Sequence, residues 1–146
     1  MKLSKIYISC ICFALLFMNT QCDDDDMETS NCGQPVVIDN VFYESATSGF
    51  YDLMSFDIND DCLTIEVSSS GCNGTSWSMV LVDSGEVAES SPEQRFLKFV
   101  FTNDEACLAV FQQSRVFDLT SLRVDGSNEV VLNIEDFPEA INYVYP

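Results

Sequence analysis

The chain has 146 residues, of which 24 are Asp or Glu, six are Lys or Arg and none is His. Binding to a nucleic acid depends on basic groups that displace counterions from the phosphates, so we expect no nucleic-acid partner. Without histidine there is no Ser-His-Asp or Cys-His arrangement and no histidine-ligated zinc, which disfavours the common kinds of hydrolase.

The chain begins with a hydrophobic leader. Lys2 and Lys5 form a small positively charged region before the almost wholly apolar stretch Ile6–Met18. This stretch is too short for a bilayer, which needs about 20 apolar residues, and it is typical of a signal peptide. An ordinary signal peptidase requires small residues three positions and one position before its cleavage site, and the end of this leader offers no good pair. Cleavage just before Cys22 fits better. We therefore predict a signal peptide at residues 1–21.

The residues around Cys22 resemble a known motif. Met18–Cys22 is similar to the cysteine box of bacterial lipoproteins, especially those of the Bacteroidota, although Asn19 and Gln21 stand where the usual box has an aliphatic and a small residue. The run Asp23–Asp26 resembles the tag that exports lipoproteins of that phylum to the outer face of the outer membrane. The resemblance implies that Cys22 is acylated and that the protein lies on the cell surface. The alternative is a secreted protein with an acidic tail.

Residues 22–31 are expected to form a lipidated, hydrated tether, with the membrane as partner. Each buried methylene contributes about 0.8 kcal/mol, so one acyl chain anchors a protein marginally, whereas two or three anchor it stably. Because Lys2 and Lys5 leave with the leader, four basic and 24 acidic residues remain, which is a side-chain charge of −20. Such a charge keeps a surface protein soluble and could attract cations or basic ligands.

Four of the seven cysteines lie beyond the leader and the lipid anchor, at Cys32, Cys62, Cys72 and Cys107. Because the chain has no C-x-x-C pair and no histidine, disulfides are favoured over a metal site. Four cysteines allow three pairings. We favour Cys32 with Cys62 and Cys72 with Cys107, which ties the start of the domain to an early strand and a loop to a later strand.

Residues 32–146 suffice for one domain with a hydrophobic core and are too few for two. Their apolar residues recur mostly with a period of two, which is typical of strands. Residues that favour turns cluster between the strands, at 59–61, 70–74, 83–85, 91–92 and 125–128. The predicted strands are Val36–Ile38 leading into Val41–Tyr43, Leu63–Val67, Trp77–Val82, Phe96–Phe101, Cys107–Phe117, Val130–Ile134 and Ile141–Tyr145.

The number and spacing of these strands predict an all-β fold. About seven short strands without a convincing amphipathic helix favour an antiparallel β-sandwich, immunoglobulin-like in size and stapled by disulfides. A small barrel is the alternative. Ser121–Val124 is expected to form a helical turn.

Four motifs between residues 57 and 124 resemble a pattern in small uncharacterised lipoproteins of the Bacteroidota. These motifs are Asp61–Val67, Ser70–Gly74, Asn103–Cys107 and Phe117–Leu122. The resemblance implies an outer-membrane surface lipoprotein of that kind. It implies no activity and transfers no catalytic residue.

The acidic segment 57–61 is the best candidate for a metal. Oxygen ligands alternate at Asp57, Asn59 and Asp61, as at the start of a calcium loop, and Ca²⁺ prefers hard oxygen donors. The glycine and the distant glutamate of that loop are missing, and a turn rich in Asx residues is the favoured alternative. No other cofactor is expected.

The aromatic residues suggest a carbohydrate-binding surface, because β-sandwiches often present rings to sugars. Trp77 is one candidate. Most of the others lie at the spacing of core residues, and the core is the default interpretation. These others are Phe42, Phe50, Tyr51, Phe56, Phe96, Phe99, Phe101, Phe111 and Phe117. We expect the exposed rings among Tyr43, Tyr51, Tyr143 and Tyr145, where an exposed ring is a plausible anchor for a glycan or a protein.

These observations favour a lipid-anchored cell-surface protein that acts as a non-enzymatic binding or accessory module, with a glycan or an envelope protein as its partner. A structural or adhesion component of the envelope is the first alternative. A glycoside hydrolase that uses paired carboxylates is the second.

Overall fold

The computed structural model describes residues 32–146, which form two β-sheets, a short helix and a 3₁₀ turn. None of the helices within this range is long and apolar enough to cross a membrane. The elements are β1 (Gln34–Pro35), β2 (Val37–Ile38), α1 (Asn40–Ser45), β3 (Asp52–Asn59), β4 (Cys62–Gly71), β5 (Ser78–Ala88), β6 (Glu93–Thr102), β7 (Ala109–Asp118), the 3₁₀ turn Thr120–Leu122, β8 (Glu129–Ile134) and β9 (Ile141–Val144).

The two sheets confirm the predicted sandwich. One sheet has the strand order β1-β7-β4-β3 and the other β2-β5-β6-β8-β9. Seven of the strands are longer than two residues. Four of the pairings are antiparallel, and the pairs β1–β7, β2–β5 and β6–β8 are parallel. The predicted helical turn corresponds to the 3₁₀ turn.

The core lies between the sheets because the strands alternate apolar and polar residues. Leu63, Ile65 and Val67 of β4 are fully buried, while the residues between them are partly exposed. Leu97, Phe99 and Phe101 of β6 are also buried, with the partly exposed Lys98 between the first two. Successive side chains of a strand point to opposite faces, so a period of two places one set in the core.

The N-terminal strands close one side of the sandwich. β1 pairs with β7 at Phe117 and Asp118, and β2 pairs with β5 in the other sheet. The buried Val36 lies between the two short strands. Gly33 has a φ of 119°, and a side chain at this position would collide with the carbonyl group of Val116. A glycine is therefore required where the chain enters the sandwich.

The predicted strand Val41–Tyr43 is wrong, because these residues lie in α1. Asp39 caps the helix, and its side chain accepts a hydrogen bond from the backbone N–H of Phe42 at 2.9 Å. The hydroxyl of Ser45 donates to the carbonyl of Val41 at 2.7 Å. This local capping outweighs the β-propensity of three successive large residues.

Two further differences involve bulges. β3 was not among the predicted strands, because its pairing with β4 shifts register between Leu53 and Ser55, which interrupts the period of two. The predicted turn 83–85 is an irregularity inside β5, where Asp83 Oδ1 accepts a hydrogen bond from the N–H of Gly85 at 2.7 Å. Turn residues therefore mark a bulge here and not the end of a strand.

A buried ion pair joins β5 to β6. Arg95 Nη2 lies 2.9 Å from Asp83 Oδ1, and Arg95 Nε donates to Asp83 Oδ2 at 3.1 Å. The Asp83 side chain is fully buried and that of Arg95 is 9% exposed. Removing one partner of such a pair leaves the other charge buried without compensation.

We therefore expect Asp83→Ala to lower the free energy of unfolding by about 3–5 kcal/mol, measured by urea denaturation. The double variant Asp83→Leu with Arg95→Met should lose much less, because no buried charge remains. Glu135→Ala serves as the control, because Glu135 forms an exposed pair with Lys98 at 3.3 Å, and its loss should cost about 1 kcal/mol or less. Equal losses in the three variants would contradict this assignment.

Candidate functional site

The predicted metal ligands lie in β3 and in the turn that follows it. Asp57 and Asn59 are exposed residues of β3, whereas Asp61 lies in the turn before β4. Both carboxylate oxygens of Asp61 accept hydrogen bonds from Arg123 Nη2, at 2.7 and 2.8 Å. Within residues 32–146 no group of three or more His, Cys, Asp or Glu is arranged to hold a metal ion. Calcium binding stays a prediction, and Arg123 would compete for its ligand at Asp61.

Asp61 belongs to a polar cluster that fixes the C-terminal strand. The Tyr143 hydroxyl donates to Asp61 and accepts a hydrogen bond from Arg123 Nε at 3.2 Å. Burial and the hydrogen bond to Asp61 raise the pKa of Tyr143 to about 12, and the hydrogen bonds from Tyr143 and Arg123 lower the pKa of Asp61. The cluster therefore joins the β3–β4 turn to β9 through ionised Asp61 and neutral Tyr143.

This cluster corrects the prediction that Tyr143 and Tyr145 are exposed. The structure buries both rings, since their hydroxyl groups have partners inside the domain. The Tyr145 hydroxyl accepts a hydrogen bond from the N–H of Val124 at 2.9 Å. A tyrosine with such a partner loses little by burial. Trp77 is also buried, which removes it as a candidate for an exposed ring.

The four cysteines of the domain are joined in the pairing that the sequence analysis favours. Cys32 binds Cys62 and Cys72 binds Cys107, with Cα–Cα distances of 5.6 and 4.8 Å. Both distances lie in the range usual for disulfides. The second disulfide links the loop after β4 to the loop before β7.

The same two loops are also joined by Glu105. Its Oε2 accepts hydrogen bonds from three successive backbone N–H groups, those of Cys72, Asn73 and Gly74. Its Oε1 accepts from the Ser76 hydroxyl at 2.6 Å. Successive N–H groups of this kind form a concave anion site, called a nest. The chain fills this nest with its own carboxylate, so the nest ties the loops together.

The nest explains two of the four motifs that lie between residues 57 and 124. A side chain at position 71 would collide with the Glu105 carboxylate, so glycine is needed there. Asn103 Oδ1 accepts from the N–H of Glu105 at 2.9 Å, and Asn103 Nδ2 donates to the carbonyl of Ser70 at 2.7 Å. The residues of Ser70–Gly74 and Asn103–Cys107 therefore shape these loops.

A cleft beside Tyr51 is the best candidate for ligand binding. Two adjoining cavities of about 400 and 370 Å³ share Ser48, Tyr51 and Asp136. The segment 46–51 forms one wall, because the N–H of Gly49 donates to the carbonyl of Phe101 at 2.7 Å and holds the segment against β6. The turn after β8 forms the other wall. We call this the Tyr51 cleft, and its lining includes Glu44, Phe50, Asp52, Lys98, Phe99 and Glu135.

The Tyr51 cleft is acidic and aromatic. Four carboxylates line it, those of Glu44, Asp52, Glu135 and Asp136, against the single cation of Lys98. Burial, followed by the charges of Asp136 and Glu135, raises the pKa of Tyr51, so its hydroxyl stays protonated and can donate a hydrogen bond.

Phe50 adds an exposed ring at the mouth of the Tyr51 cleft, since it is 80% exposed although it is large and apolar. The spacing of Phe50 in the sequence groups it with the aromatic residues expected in the core. No periodic pattern distinguishes it, because residues 46–51 are neither helix nor strand.

Lys98 positions the wall of the cleft. Its Nζ donates to the carbonyl of Tyr43 at 2.9 Å and lies 5.0 Å from the centre of the Tyr43 ring. The same group forms the ion pair with Glu135. Lys98 therefore links α1 to the turn after β8 across the cleft, and much of its charge is already neutralised.

Comparison with known proteins shows the fold alone. No family model matches the chain, and no curated protein matches it. A solved structure of a protein of unknown function, DUF1344, from Bacteroides vulgatus aligns with a TM-score of 0.54 at 14% identity, over 77% of this chain and 56% of the other. A toxin-related protein from Parabacteroides distasonis aligns with a TM-score of 0.51 at 18% identity, over 77% and 60%. The chain thus spans less than two thirds of these neighbours.

Both neighbours come from Bacteroidota and neither name assigns an activity, which agrees with the expected class of uncharacterised protein. The predicted signal peptide, the acylated Cys22 and the tether lie outside the described residues 32–146.

The Glu105 nest makes stability depend on pH. Three backbone N–H groups and Ser76 hold the pKa of Glu105 at about 2, below its usual range. A carboxyl group whose pKa is lowered by folding stabilises the folded state above its ordinary pKa and loses this effect as the pH falls through the lowered value. We therefore expect Glu105→Ala to lower the melting temperature at pH 7, and the difference from the wild type to shrink toward pH 2.

Asp104→Ala is the matched control for this melting experiment, because it removes one neighbouring exposed charge without touching the nest. It should leave the melting temperature nearly unchanged at both values of pH. An equal effect of the two variants would show that overall charge, and not the nest, is responsible.

Proposed function

We propose that the chain is a cell-surface lipoprotein, anchored through Cys22, that acts as a non-enzymatic module and binds a glycan in the Tyr51 cleft. The observation that carries the proposal is the cleft itself, where the exposed Phe50 ring and the Tyr51 hydroxyl lie beside carboxylates. A sugar offers an apolar face for stacking and hydroxyl groups that donate to carboxylates. Sites of this kind combine aromatic rings with a few polar groups that fix orientation.

Neither Asp61 nor Glu105 suits the general acid of a glycosidase. A glycosidase needs a general acid whose pKa is raised. Asp61 and Glu105 have lowered pKa values instead, because each accepts several hydrogen bonds. Both are occupied by partners inside the domain and lie outside the Tyr51 cleft.

The location follows from the resemblance of the leader and the acidic run to lipoproteins of the Bacteroidota. A tether at residues 22–31 would enter the domain at Cys32, which the disulfide to Cys62 fixes at the start of β4. The lipid would thereby hold a preformed domain, and the strongly negative chain would stay hydrated above the bilayer.

The proposal predicts saturable binding to at least one member of a glycan array. Phe50→Ala should weaken this binding about tenfold by removing the stacking ring. Asp136→Asn should weaken it to a similar extent. Asp136 has a φ of 65°, a conformation that asparagine adopts readily, so this variant removes the charge without straining the turn.

Phe96→Ala is the control for the glycan experiment, because Phe96 is an exposed ring of β6 that does not line the cleft. It should bind like the wild type. The absence of saturable glycan binding, together with co-purification in an envelope complex, would replace the binding role by the structural one.

A further inference from the structure

Strand β7 has an open edge of seven residues, Ala109–Arg115, within the part of the chain that the structure describes. Its inner neighbour β4 pairs with it along the full length from Ala109 to Asp118, without a shift in register. On the other side β1 pairs only at Phe117 and Asp118. From Ala109 to Arg115 no further strand of residues 32–146 pairs with β7. Backbone N–H and C=O groups of such an edge can pair with another chain.

The chain's own N-terminal segment is directed away from this edge. β1 runs parallel to β7, so an extension of β1 toward the N-terminus would cover Ala109–Arg115. Gly33 turns the chain instead, and Cys32 is bound to Cys62 on the opposite side of β7. Within residues 32–146, the disulfide therefore holds Cys32 off the edge.

Apart from the charge of Arg115, β7 lacks the features that protect the other edges. Sheet edges are usually blunted by charges, prolines, bulges or short length. β3 has a bulge and two aspartates, β9 has four residues, and β2 has two. The stretch from Cys107 to Phe117 contains no proline and no acidic residue, although the chain has 24 acidic residues. Val110 on this strand is 72% exposed.

Arg115 indicates what the edge would bind. Four basic residues follow Cys22, and Arg95, Lys98 and Arg123 each form an ion pair within the domain. Arg115 forms none among residues 32–146, and its buried Nε has no hydrogen-bond partner. A buried donor without a partner costs free energy that a suitable acceptor would recover.

The register between β7 and β4 shows where an acceptor for Arg115 Nε would lie. Arg115 lies opposite Ile65 of β4, whose side chain is in the core, so the Arg115 side chain is on the inner face of the sheet. A strand added beside β7 would place the residue opposite Arg115 on that same face. A carboxylate there would supply both a countercharge and an acceptor for Nε.

We propose that the open edge Ala109–Arg115 binds an extended segment of a partner protein, which adds a strand to the four-stranded sheet and carries a carboxylate opposite Arg115. A second copy of the chain does not fit. Phe117 and Asp118 already pair with β1, so pairing the open edges of two copies would place a residue of Ala109–Arg115 opposite Arg115, and none of these is acidic. No residue of β7 lines the Tyr51 cleft, so this surface is independent of the glycan proposal.

Two labelled nine-residue peptides test the proposal, with the chain produced without residues 1–21 and carrying Cys22→Ser. Both peptides alternate threonine and valine, and the central residue is glutamate in one and lysine in the other. Fluorescence anisotropy should show about tenfold tighter binding of the glutamate peptide. Hydrogen exchange should show protection of backbone amides within Ala109–Arg115 when that peptide is bound.

Two variants that each lower the net charge by one distinguish an ion pair at Arg115 from an effect of overall charge. Arg115→Gln should abolish the preference for the glutamate peptide. Gln112→Glu changes the charge equally, but Gln112 lies opposite Ser68 on the outer face, so the preference should persist. Equal loss in both variants would overturn the proposal, as would protection at another edge or the absence of binding.

The other occupants of the edge are further outcomes of the same experiment. A dimer that protects β7 amides without peptide would assign the edge to a second copy. Peptide binding that appears only after serine replaces Asp23–Asp26 would assign it to the chain's own tether. Either result would overturn the proposal for a partner protein.

Discussion

The two disulfides lie at the two ends of strand β4, and the organisation of the domain depends on this constraint. Cys62, its first residue, binds Cys32 where the described chain begins, and Cys72, which follows its last residue, binds Cys107. A strand of ten residues spans about 30 Å, so the disulfides lie at opposite ends of the sandwich. One end receives the chain, and the other holds the loops that Glu105 joins. A domain attached at the first end would present the second end away from its attachment.

The scarce cations have a consistent role in this acidic domain. Arg95 joins β5 to β6, Lys98 joins α1 to the turn after β8, and Arg123 joins the β3–β4 turn to β9. Each neutralises a carboxylate that would otherwise repel its many neighbours. Glu105 needs no cation, because backbone N–H groups hold it. Arg115 forms no ion pair among residues 32–146, and it lies on the open edge. The two surfaces that we propose as binding sites, the Tyr51 cleft and the β7 edge, are those where this internal neutralisation is incomplete.

Most of the strands could be predicted because they depend on local alternation. The number of cysteines indicates two disulfides but leaves three pairings open. The helix that contains Val41–Tyr43 could not be predicted, since the single cap at Asp39 outweighs the β-propensity of these three residues. Tyr143 was predicted as exposed because its partner Asp61 is 82 residues away in sequence. The Glu105 nest and the Tyr51 cleft are likewise formed by segments that are far apart in the chain. Alternation shows which face of a strand is buried, but it contains no information about which loops meet.

The central claim is that this domain is held at a membrane by a lipid on Cys22. The most direct test is the intact mass of the protein extracted from membranes of its source organism. We predict a chain that begins at Cys22, with the added mass of two or three acyl chains and with two intact disulfides. A chain that begins at Cys22 without acyl mass, or that is recovered from the medium with its N-terminus elsewhere, would contradict the account.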